Sequence, residues 1–90
     1  MNSAVTAGFY TTAFSLETLG VDIARLTELA VEAVQNGVLQ GGATWLELLE
    51  DALDLVLDPV QRRAEFATAL SEMRAGRLPS IVVRTFGGQR

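Results

Sequence analysis

Cysteine, histidine and lysine are all missing from this chain, whose seven basic residues are arginines. The lack of cysteine excludes disulfides, thiolate nucleophiles and sulfur-ligated zinc. The lack of histidine removes imidazole acid–base chemistry and the commonest metal ligand. With lysine gone as well, no serine, threonine or tyrosine has a His, Lys or Cys to activate it. Long apolar runs are missing too. Stretches such as Leu55-Val56-Leu57 and Ile81-Val82-Val83 fall far short of the roughly 20 residues that a membrane-spanning helix needs. The amino-terminal residues lack a basic region and interrupt their apolar residues with threonine, which makes a poor signal peptide. The expected location is the cytoplasm, with no membrane partner.

Positive charge is scarce in the first two thirds of the chain. Nine acidic residues stand against Arg25 alone over residues 1–58, whereas six arginines stand against Glu65 and Glu72 over 59–90. The net charge of −4 disfavours direct nucleic-acid binding, since nothing offsets phosphate repulsion. The arginine-only usage fits a codon bias; its sharper reading is that guanidinium groups pair with carboxylates across a fold or dimer interface.

What the chain does have is apolar residues. At 90 residues and 49% hydrophobic, it supports one compact domain. Its organising stretch is 44–58, which opens with a T-x-x-E capping box, Thr44 and Glu47. On a helix, Glu47, Glu50, Asp51, Asp54 and Asp58 fall within an arc of roughly 100°. Trp45, Leu46, Leu48, Leu49, Ala52, Leu53, Leu55, Val56 and Leu57 fill an arc of roughly 200°, enough to pack on two neighbours or on one neighbour and a partner chain.

The flanking segments read as further helices. Residues 3–19 place Val5, Phe9, Ala13, Leu16 and Leu19 on one face, with Gly20 as the terminating residue. Asp22 is suited to cap a helix over 23–36, whose apolar face holds Ile23, Leu26, Leu29, Ala30, Ala33 and Val34 and which ends at Asn36-Gly37. Asp58-Pro59, with Gln61 following, is a strong helix start, although a single helix kinked at Pro59 is the alternative. Residues 59–75 carry one strip of Phe66, Leu70 and Met73 and an adjoining one of Val60, Ala64 and Ala67, with Arg63 and Arg74 between them. Gly76 and Pro79 end that helix. Ser80 to Phe86, rich in β-branched residues, reads as a strand.

Few arrangements here carry chemistry. The acidic residues stand in rows along one helix and do not converge on an ion, and neither the EF-hand nor the di-iron spacing occurs. Paired-carboxylate catalysis needs two acids facing across a cleft. The glycines match neither phosphate-binding fingerprint. Residues 16–29 outline a helix-turn-helix, but Arg25 is the reader helix's only base and Glu28 and Glu32 would face the phosphates. No catalytic residue, cofactor or metal ligand is therefore expected.

The expectation is an all-α domain of three or four helices over 1–79 with an extended carboxy-terminal arm over 80–90. It would act as a non-enzymatic protein–protein interaction module that binds and regulates or inhibits a larger protein, as a homodimer. The partner-binding candidates are Trp45, Leu49, Leu53, Phe66, Met73, Ile81 and Val83. The acidic surface of Glu47, Glu50, Asp51 and Asp54 reads first as a solvated helix face. Its alternative is a ridge that mimics nucleic acid and blocks a nucleic-acid-binding protein. A structural assembly subunit is the third possibility.

Overall fold

The computed structural model describes residue 13 and residues 15–87. The fold is all-α, and three of the described helices begin where the side chain of the capping residue satisfies a free amide. Asp22 accepts a hydrogen bond from the Arg25 amide at 3.1 Å and opens α1, Ile23–Gln35. Thr44 accepts from the Glu47 amide while Glu47 accepts from the Thr44 amide, a complete capping box that opens α2, Trp45–Asp54. Asp58 accepts from the Gln61 amide at 2.9 Å and opens α3, Pro59–Arg74, with Pro59 in the first turn. Each such cap stabilises its helix by about 1 kcal/mol.

Three of the helical turns end on a left-handed glycine. Gly20 (φ 93°) follows the helical residues 15–18, Gly37 (φ 75°) follows α1, and Gly76 (φ 79°) follows α3. In each, the residue after the glycine donates back to a carbonyl five positions earlier, Val21 to Leu16, Val38 to Ala33 and Arg77 to Glu72, the Schellman arrangement. Most of the helix expected over 3–19 lies outside the described residues.

The stretch 44–58 departs from expectation at its carboxy-terminal end, because α2 stops at Asp54. Pro59 disfavours α geometry at the residue before it, and Asp58 accordingly takes φ −76° and ψ 121°. Two helices with an elbow between them result, not one kinked helix. Arg62 holds the elbow. Its Nε donates to the carbonyls of Leu53 at 3.2 Å and Val56 at 2.9 Å, satisfying the end of α2 where no glycine cap is available. Replacing Arg62 with Met keeps much of the apolar stem but removes the guanidinium donor from the Val56 carbonyl and leaves the Leu53 carbonyl only the Val56 amide. Urea unfolding should then show a loss of about 1–3 kcal/mol, whereas the neighbouring exposed Arg63→Met should change stability by less than about 0.5 kcal/mol.

The larger correction concerns the carboxy-terminal arm. Ser80–Phe86 is a helix, α4, packed against α2 and α3. Ile81 and Val82 are buried in the core. A lone strand would have left its amides and carbonyls without partners, while a helix pairs many of its own. β-Branched residues disfavour a helix by at most about 0.7 kcal/mol each, and burying an Ile or Val side chain returns about 1.5–3 kcal/mol. The capping residue Pro79 offers no side-chain acceptor; instead Glu72 of α3 accepts from the Ser80 amide at 2.9 Å. Past α4, Gly87 forms an isolated antiparallel bridge with Leu39, and a Cβ at Gly87 would strike the Val83 carbonyl.

The core is centred on Leu16, Leu26, Leu49, Met73 and Val82, all almost fully buried. α4 lies chiefly on α2, and α3 contacts both. α1 joins through Leu26 and Ala30.

Candidate partner-binding site

Trp45 stands at the first turn of α2 and is 4% exposed. Its Nε1 donates to Thr27 Oγ1 at 3.1 Å, and Thr27 in turn donates to the Ile23 carbonyl at 2.9 Å. The indole therefore clamps α2 to α1 and is not held out for a partner. Leu49, Met73 and Ile81 are likewise buried, Leu53 and Phe66 are half-buried against the same core, and Val83 is half-buried. The structure brings these seven candidates together as interior and rim, not as an outward patch. The reason is α4. Read as a strand, Ser80–Phe86 left one side of α2 uncovered; folded as a helix, it covers that side.

Of the acidic candidates, Glu47, Asp51 and Asp54 are exposed and Glu50 is half-buried. Glu47 is engaged in the capping box. Among the described residues no three acidic side chains are placed to hold a metal ion, and no polar or charged residue is buried. Ion pairs among them include Arg25–Glu28 and Arg84–Glu65, each at 3.3 Å. No described helix is long and apolar enough to cross a membrane.

Two open apolar features lie elsewhere. The first is a groove of about 690 Å³ walled by Ile23, Thr27, Ala30, Val31 and Val34 of α1, by Leu39 and residues 41–44 of the loop, and by Trp45 and Leu46 of α2, with Ala13 at its edge. Among the described residues no charged side chain lines it, and both Val31 and Val34 are exposed. The sequence signal for it was a second stripe on α1, Thr27, Val31 and Val34 at helical spacing, beside the face that packs inward. The second feature is the elbow, where Leu55, Leu57 and Val60 are 64%, 84% and 66% exposed. Reading 44–58 as one helix had placed Leu55 and Leu57 on its apolar arc and so hid both.

These surfaces have no precedent to read them by: the chain matches no family model, no curated protein and no solved structure.

Proposed function

We propose that this chain is a small, non-enzymatic protein–protein interaction module of the cytoplasm, acting as a homodimer that binds and regulates or inhibits a larger protein. The groove between α1 and the start of α2 carries the reading. Its volume and uncharged lining suit the apolar face of a helix laid into it, a recurring mode of peptide recognition. Its floor is fixed by the Trp45–Thr27 hydrogen bond, so little ordering is required on binding, which favours affinity.

Affinity capture from the source cells tests this, using the wild-type chain and a Val31→Asp/Val34→Asp variant. Both valines are exposed, so the variant should keep its circular dichroism spectrum. An apolar partner would have to bury the new carboxylates unpaired, and the captured protein should be lost. Equal capture by both chains would rule the groove out.

A second reading, the nucleic-acid mimic, is supported by Asp51 and Asp54, which are exposed and enter neither ion pair described above. Binding by mimicry weakens steeply as salt rises, and apolar burial does not. Asp51→Asn with Asp54→Asn should abolish binding on this reading and leave it almost unaltered on the first.

A further inference from the structure

The groove between α1 and the start of α2 leaves Val31 and Val34 exposed, whereas Trp45 and Leu46, which also line it, are buried. The chain itself reaches this groove first. Ala13 lines it and is half-buried against the core. Three residues on, Leu16 is almost fully buried, and its carbonyl accepts from the Val21 amide at 3.0 Å. The peptide that precedes Ala13 is therefore tethered to the groove wall.

The composition of that peptide suits the groove. Residues 1–16 and 33–46 are the two longest charge-free stretches of the sequence. The second of them supplies the loop wall and the start of α2. In the first, Val5 and Phe9 precede Ala13 at intervals of four residues, so on a helix all three share one face. From Val5 to Ala13 such a helix spans about 12 Å, and α1 from Ile23 to Val34 spans about 16 Å. An apolar strip of that length fits along the α1 wall.

We propose that residues 1–12 dock into the groove of their own chain, with Val5 and Phe9 covering Val31 and Val34, and so compete with the partner for that site. This rests on the interaction-module reading and adds its regulation. Tethering gives the segment an effective concentration of about millimolar, so weak contacts suffice to close the groove. The same segment on a second copy lacks that advantage at micromolar concentration, which selects the chain's own segment as the occupant. Docking buries no charged side chain and meets no penalty of that kind. A partner then binds with an affinity lowered by the fraction of chains that are open.

Binding of the dye anilinonaphthalene sulfonate to the full chain tests the closure, because the dye fluoresces in open apolar sites. Val5→Asp/Phe9→Asp should raise the dye's affinity about fivefold or more, the inverse of the open fraction. Its circular dichroism spectrum should match that of the wild type. Phe9→Ser, the milder change, should show a smaller gain in the same direction. Adding Val31→Asp/Val34→Asp should cancel the gain, which places the dye in the groove. Equal dye affinity in wild type and both segment variants would overturn the closure, as would a gain that survives the groove substitutions. Wild-type affinity that rises on dilution would assign the occupant to a second copy and overturn docking within one chain. Partner capture separates this closure from the reading it rests on. More capture by Val5→Asp/Phe9→Asp than by the wild type supports both. A gain in dye binding with no protein captured overturns only the partner-binding reading, whereas capture through the groove with no gain in dye binding overturns only the closure.

Discussion

Ending the chain at Pro79 should unfold it. The truncation removes Ile81 and Val82, which are 4% and 0% exposed, and uncovers the side of α2 on which α4 lies. Burial of two such side chains contributes about 3–6 kcal/mol, before counting the cavity left against α2 and α3. A domain of this size has only about 5–15 kcal/mol in total. Far-UV circular dichroism should therefore show a large loss of helix, and urea unfolding should lose its cooperative transition. A true extended arm would behave in the opposite way, with helix content almost constant after its removal. A truncated chain that kept a full cooperative transition would show that α4 contributes nothing to the core. Gly87, which bridges to Leu39, lies beyond the buried pair, so ending the chain after Phe86 should be far milder.

The second large effect separates two leucines that look alike in the sequence. Leu49 and Leu57 both belong to the apolar arc of 44–58, yet Leu49 is 1% exposed and Leu57 is 84% exposed. Leu49→Ala should cost about 2–5 kcal/mol, the transfer loss plus the cavity left behind, measured as a lower urea midpoint. Leu57→Ala should change stability by less than about 0.5 kcal/mol. Leu49→Asp should not fold, because its carboxylate would be buried without a partner. Equal costs for the two alanine variants would mean that the elbow is packed and that α2 continues beyond Asp54.

The local sequence was enough for every feature in which a side chain acts on its own neighbours. Asp22, the Thr44/Glu47 box and Asp58-Pro59 set the starts of α1, α2 and α3 because each cap reaches amides only three residues away. Gly20, Gly37 and Gly76 set three of the stops through their own backbone geometry. The inward face of α1, with Leu26 and Ala30 buried, followed from helical spacing. So did the inner strip of α3.

Contacts between distant segments decided the rest. Arg62 ends α2 by reaching back six and nine residues to Val56 and Leu53, and no local pattern marks it for that task. Glu72 caps α4 from another helix. The β-branched run from Ser80 to Phe86 became a helix because its burial against α2 and α3 outweighs a small local preference. That one exchange moved Leu49, Met73 and Ile81 from candidate contact surface to interior. It also shifted the uncovered apolar area to the groove and the elbow. The sequence by itself determined where helices begin and which residues are apolar. Which apolar face remains open depends on how the helices cover one another, and that was settled only by the tertiary packing.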